Sequence, residues 1–532
     1  MILNDLEVEV TTNLEKALRH LRIEDKVRTI WIDALCINQG NISERNSQVK
    51  MMGEIYKSAA MVMIWLGEAA DDSDFLLQFI LHRHLQLDLG TDLGTHDSDP
   101  DETARETRRL GIAFENLLRR AWWKRIWIVQ ELALAKSDPI VVCGTMSIPW
   151  SVLSEYGVLQ EIFQNADHFL SEPITNIGIL QAIRSNVRDK TKSLHQPHSL
   201  QKLLRLTRYS LATDPRDKIY GLLGLVQGDD VSIMPDYGKQ VSRLYLEIAC
   251  HIISSERCLD ILTWPHSRAD LGLPSWAPNF AEQVIDKYHC CPLFLKGSQQ
   301  ADVPFYQAGK KLFKRNGELC YAPKSIVTFS EDLRTMMACG ITFDIITDCV
   351  GPSQPETLCD FLDQVDRVDL KANASFESET DPKQRLLRKE QLWEVLAAGG
   401  GGRSKFNDEQ DWKRWRQWLR TASHKRKEDQ YISREFEEWG RLENINSACQ
   451  GRSFFLTASG FFGIGPAETR PLDTIVILLG GPVPFVLRLL GGYHIMIGEC
   501  YVGDIMQGEV INIAAEDMRR EDEFKVFAFN IS

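Results

Sequence analysis

The residues best suited to chemistry lie in one short segment, Trp127-Ile128-Val129-Gln130-Glu131-Leu132. Trp127 and Glu131 are four apart, which puts them on one face of a helix. A carboxylate beside an indole is partly desolvated, and that raises its pKa. Such a group suits glycosidic cleavage, because it stabilises an oxocarbenium-like transition state, and it can hold a ribose by its hydroxyls. The rival reading makes Glu131 an exposed helix residue, or an ion-pair partner of Arg125 or Lys136, and spacing alone favours that. Asp33 is the second candidate. It ends the apolar run Ile30–Ile32, where parallel sheets place ligand-binding groups, although a turn cap is the plainer role for an aspartate there. Arg125 and Arg216 could each fork a phosphate; ion pairing is the simpler role, Arg216 with Asp214 or Asp217. No nucleophile elbow, Walker loop, kinase set or zinc motif is present.

These candidates need elements to hold them. Between Arg28 and Gly67, the apolar runs Ile30–Ile32 and Met61–Leu66 flank a segment in which Val49, Met52, Ile55, Tyr56 and Ala59 recur at helical spacing. Asn41 and Ser43 are its N-cap candidates. Strand, helix, strand over this length predicts a parallel βαβ crossover. Thr12-x-x-Glu15 reads as a capping box opening a helix to Leu21. Further helices are predicted over Phe75–Leu87 and Thr103–Arg120, continuing as a tryptophan-rich helical segment to Lys136. Pro139–Cys143 predicts a buried strand. With three parallel-type strands, residues 1–150 read as an α/β domain. Residues 89–101 read as a surface loop.

A chain of 532 residues implies two or three domains. Residues 151–280 read as helical, with Asp214-Pro215 opening a helix and Leu273–Pro278 breaking the pattern. Residues 281–402 are mixed and end in the glycine linker Gly399–Gly402. In 403–450, Trp412, Trp415, Trp418 and Trp439 recur among charges, as the buried stripe of packing helices. Residues 451–532 read as a small antiparallel β module with Gly and Pro turns. Gly460–Gly465 is a hairpin there, since G-x-x-G-x-G is the wrong order for a dinucleotide fingerprint.

Hydrophobic residues at 44% and charged residues at 25% are ordinary globular values. The net charge of −13 argues against a nucleic-acid partner. No apolar run reaches the length of a membrane span. The first residues, MILNDLEVEV, are not a signal peptide. Twelve scattered cysteines without a C-x-x-C pair read as reduced thiols in a cytoplasmic setting. His289-Cys290-Cys291 lacks a second half at zinc spacing, so no metal site is expected.

Four blocks in order carry a family resemblance: Trp31–Gln39 (WIDALCINQ), Met52–Tyr56 with Val62–Gly67, Trp122–Leu132 (WWKRIWIVQEL) and Asp214–Leu225 (DPRDKIYGLLGL). They closely resemble the fungal heterokaryon-incompatibility (HET) domain. The resemblance implies a protein of fungal self/non-self recognition that triggers regulated cell death, acting through protein partners or self-association. HET domains are in turn distantly similar to TIR domains, which are flavodoxin-like parallel-sheet folds of innate immunity. Several TIR domains cleave NAD with a glutamate in a W-C-x-x-E-L helix. That more distant relation implies Glu131 as catalytic carboxylate, Asp33 and Trp127 at the nucleotide, and NAD as substrate. HET domains usually start with an S-Y-x-W-G strand and loop, and this chain begins past it. The resemblance therefore implies a domain without its first strand.

Overall fold

The computed structural model describes residues 2–3, 6–23, 25–89, 100–155, 171–188, 199–226, 233–264, 271–282, 307–309, 313–315, 318–320, 327–354, 357–375, 382–399, 406–422, 436–511 and 526–532. They form two compact units, 1–239 and 240–532. The 89–101 loop, the linker beyond Gly399 and the His289–Cys291 cluster lie mostly or wholly outside the described residues.

The first unit opens with a two-residue hairpin, β1 (Ile2–Leu3) and β2 (Leu6–Glu7). Helix α1 (Thr12–Leu21) is capped one residue earlier than predicted, because the Thr11 side chain accepts the Leu14 amide. The predicted strand Ile30–Ile32 joins no ladder. Its last carbonyl, on Ile32, instead accepts the amides of Leu35 and Cys36 and so begins the short helix α2 (Asp33–Cys36). No strand forms over 30–32, so the βαβ crossover lacks its first strand. Helix α3 (Ile42–Ser58) has Asn41 as its cap.

The sheet of this unit has three strands: β3 (Met63–Trp65), β4 (Ile140–Cys143) and β5 (Met146–Pro149). β3 and β4 are parallel, whereas β4 and β5 form an antiparallel hairpin. Only one of the expected parallel pairings is therefore present among the described residues. Helices α4 (Ser73–Leu89) and α5 (Pro100–Leu118) lie between β3 and β4 in sequence. A 3-10 turn, Ala121–Lys124, separates α5 from the short helix α6 (Ile128–Ala133). The tryptophan-rich segment is thus broken where a continuous helix was predicted. α7 (Trp150–Leu153), α8 (Ser171–Arg188), α9 (Leu200–Leu206) and α10 (Asp217–Leu223) complete the unit. Asp214 accepts the Arg216 amide at 3.1 Å in the manner of a cap, and three-residue turns at Asp217 and Lys218 lead into α10.

The second unit begins with α11 (Val241–Glu256). Its strands are the hairpin β6 (Phe313–Arg315) and β7 (Glu318–Cys320), then β8 (Val327–Phe329) and the long β9 (Met336–Val350). Four helices follow: α12 (Leu358–Ser375), α13 (Pro382–Leu396), α14 (Glu409–Ala422) and α15 (Phe436–Cys449). The remaining strands are β10 (Arg452–Thr457), β11 (Phe462–Pro466), β12 (Thr474–Leu478), β13 (Phe485–Leu490), β14 (Tyr493–Glu499), β15 (Tyr501–Val502) and β16 (Phe527–Ile531).

The sheet is larger than the module expected from 451–532, because β9 serves several neighbours along its length. Residues 336–338 pair with β8 and β16, 340–345 with β12, and 346–350 with β10. β12, β13, β14, β16 and β9 pair in a closed ring. Gly340 stands where β9 passes from β16 to β12, and a Cβ there would lie 2.8 Å from the Ile477 carbonyl. Inside are Ile341, Ile346, Phe455, Ile475, Ile477, Val486, Ile497 and Val502, each worth about 1.5–3 kcal/mol on burial. Gly460 lies in the turn of the β10–β11 hairpin, as predicted. Trp412 and Trp415 are buried, and their rings stack at 5.5 Å, as expected of a packing stripe.

Candidate functional site

Glu131 lies in α6, with its side chain 13% exposed. Tyr56, in the last turn of α3, and Trp122, in the 3-10 turn, bring their hydroxyl and indole N–H within hydrogen-bonding reach of its carboxyl. Trp31 packs edge-on to Tyr56 at 6.0 Å. Arg125 lies between the two predicted carboxylates, 3.9 Å from Glu131 and 3.9 Å from Asp33. Asp33 and Arg125 are 41% and 47% exposed, so the group runs from exposed charges to the buried Glu131 carboxyl. The structure thus brings Glu131 and Asp33 to one place. The Asp33 Oδ1 also accepts the Ala34 amide at 2.8 Å, a local turn contact of the plainer kind weighed for it.

Burial pushes the Glu131 pKa up; Arg125 opposes this and Asp33 adds to it. Tyr56 is raised well above its ordinary value, by burial first and then by the charges of Glu131 and Asp33. Both groups therefore keep their protons to higher pH than free side chains do. The site offers a carboxyl and a phenol for proton transfer, with an exposed guanidinium and carboxylate beside them. Among the described residues no group of His, Cys, Asp and Glu is arranged to hold a metal.

Trp127 is placed elsewhere. It is the N-cap of α6, and its indole N–H donates to Asp217 Oδ2 at 3.2 Å. The indole facing Glu131 belongs to Trp122. Arg125 is extended (φ −77°, ψ 138°) and separates the 3-10 turn that carries Trp122 from α6. Sequence reasoning missed Tyr56 and Trp122. Tyr56 falls on the helical stripe Val49, Met52, Ile55, Tyr56 and Ala59, and its hydroxyl is the one polar group of that stripe.

Around this site the chain is tied by side chains to backbone. Arg184 donates to the carbonyls of Leu132 (2.6 Å), Ala135 (3.0 Å) and Ser137 (2.8 Å), closing the C-terminal end of α6. Arg120 gathers the carbonyls of Leu66, Glu68 and Ala70 beyond β3. Gln130 donates to the Tyr220 carbonyl at 3.2 Å, and Gly53 and Gly224 let α3, α6 and α10 come together. Arg216 pairs with Asp214 at 2.8 Å. Burial pushes the Asp214 pKa up, but the Arg216 hydrogen bonds outweigh it and hold Asp214 below its ordinary range.

An α/β unit with a buried carboxyl cluster, joined to a strand-ring unit, matches two family models. Residues 1–131 match "Heterokaryon incompatibility protein (HET)", and residues 387–526 match the "Het-6 beta-barrel domain". These matches, each on about a quarter of the chain, support a HET-domain protein. It is similar to Heterokaryon incompatibility protein 6, OR allele, of Neurospora crassa, with 24% identity over 624 aligned positions. That alignment takes in 98% of this chain and 87% of the relative. No solved structure matches the chain. The first match contains the whole Glu131 cluster and ends on Glu131 itself. The second leaves out β9 and β16, which close the ring.

Proposed function

We propose that the protein acts in fungal non-self recognition, its HET domain triggering regulated cell death when incompatible partners meet in the cytoplasm. The observation that carries this is a similarity running through both units to a protein named for heterokaryon incompatibility. Signalling proceeds through protein partners or self-association of the HET domain. No helix among the described residues is long and apolar enough to cross a membrane. Induced expression in a fungal host, scored by vital-dye uptake, tests the proposal. Death in cells making the whole chain, and none in cells making residues 240–532 alone, is the expected result; equal survival of both would refute it.

A second reading has an observation of its own, the buried Glu131 carboxyl beside Tyr56, Trp122 and Arg125. It makes the HET domain a TIR-like, NAD-cleaving enzyme with Glu131 as the catalytic carboxylate. Asp33 and Arg125 then meet the nucleotide. Trp127, whose indole N–H is engaged by Asp217, acts there through α6 rather than by direct contact. NAD consumption by purified protein on a tethered support, wild type beside Glu131→Ala, separates the readings. Turnover abolished by the substitution supports the enzyme. Cell death that persists in Glu131→Ala, without NAD loss, leaves a signalling scaffold.

A further inference from the structure

Helix α6 is six residues long, too short to be stable in water by itself. Whatever pins its ends therefore decides where Glu131 stands. Arg184 pins the C-terminal end. At the other end the Trp127 carbonyl accepts the amides of Gln130 (3.1 Å) and Glu131 (3.2 Å), while the Trp127 indole is held by Asp217. The second carboxylate oxygen of Asp217 accepts the hydroxyl of Tyr237. Tyr237 belongs to residues 233–239, a strap fixed on the same unit at several points. Its amide donates to Asn46 Oδ1 at 2.8 Å, and the Arg45 guanidinium lies over its ring at 3.4 Å. Tyr220 exchanges hydrogen bonds with the backbone of Asp236, and Arg216 donates to the carbonyls of Tyr237 and Lys239. A continuous chain of contacts thus runs from Tyr237 through Asp217 and Trp127 to the backbone of Glu131.

We infer that Asp217 is a positioning residue for Glu131, and that the strap 233–239 is the latch that keeps it in place. With Tyr237 seated, Asp217 is fixed on both oxygens and holds Trp127, and Glu131 faces Tyr56 and Trp122. With the strap lifted, Asp217 is freed on one side and α6 loosens at its N-terminal end. The strap ends at Lys239, the last residue of the first unit. Its bearing on function rests on Glu131 being the working group of the HET domain.

The test uses the full chain and compares wild type with Tyr237→Phe, which keeps the ring under Arg45 and removes only the hydroxyl. Ile148→Val in β5, a buried site unconnected with the latch, serves as the control for general loosening. Hydrogen exchange should quicken about tenfold in residues 128–134 of Tyr237→Phe, the scale of one lost hydrogen bond to a charged group, and stay at wild-type rates in 140–149. The Glu131 carboxyl, identified by its loss in Glu131→Gln, should titrate at lower pH in Tyr237→Phe as water reaches it past Tyr56, Trp122, Asp33 and Arg125. Wild-type rates in 128–134, rates that rise only in step with 140–149 as in Ile148→Val, or an unmoved Glu131 titration would each overturn the latch. None of these readings needs NAD turnover, so failure of the enzyme reading and failure of the latch are separate results.

Discussion

At the residue scale the candidate site is shaped by desolvation. Glu131 is held above its ordinary pKa by burial, and Arg125, half in solvent, offsets this only in part. A carboxyl whose folded pKa is raised binds its proton more tightly in the native state. Its contribution to stability is then present below the unfolded pKa and is lost as pH rises through the folded one. Glu131→Gln removes that loss. Its stability should match wild type in mild acid and exceed it at neutral pH, the gap widening by about 1.4 kcal/mol per pH unit between the two pKa values. Urea unfolding at a series of pH values measures this, and a constant difference would contradict the burial argument. The same burial keeps Tyr56 protonated beside the carboxyl.

At the element scale, three helices meet at glycines. Gly53 on α3 faces Gly224, the residue after α10, and a Cβ on Gly224 would fall 2.3 Å from Gln130 Oε1 on α6. Gln130 is 1% exposed and anchored to Tyr220, so it cannot swing aside without losing its partner. Gly224→Ala should cost about 1–3 kcal/mol by overpacking, seen as a lowered denaturant midpoint. Gly178, in α8, meets nothing within 4 Å, so alanine there should be neutral or slightly stabilising through helix propensity. The contrast separates a packing glycine from an incidental one.

At the scale of the whole molecule, the two units rest on different sheets. The first has three short strands and relies on arginine-to-carbonyl ties such as those of Arg120 and Arg184. The second closes a ring of strands, and β16 is the member that joins β14 to β9. Ile531 on β16 is fully buried. Ile531→Asp puts a charge into that core and should cost about 3 kcal/mol or more. Hydrogen exchange across 474–499 should rise with it, whereas 140–149 should hold its wild-type rate.

Much of this was legible in the amino-acid order. The Asn41 cap, the buried strand near Pro139–Cys143, the Trp412–Trp415 stripe and the Gly460 turn follow from local rules of capping, period and turn chemistry. So does the candidacy of Glu131 and Asp33, which the HET blocks mark by their types. What local rules could not decide is who faces whom. The Trp127 indole goes to Asp217, 90 positions on, and Trp122, from before the break at Arg125, stands at Glu131. Tyr56 reaches Glu131 across 75 positions of sequence. Ile32 spends its carbonyl on a helical turn instead of a ladder, because the competing hydrogen bonds lie only three and four residues ahead. β9 joins the ring because strands far from it in sequence supply its edges. Spacing sets what each segment can form; long-range contacts, which bury the carboxyl and close the ring, decide which of those options is kept.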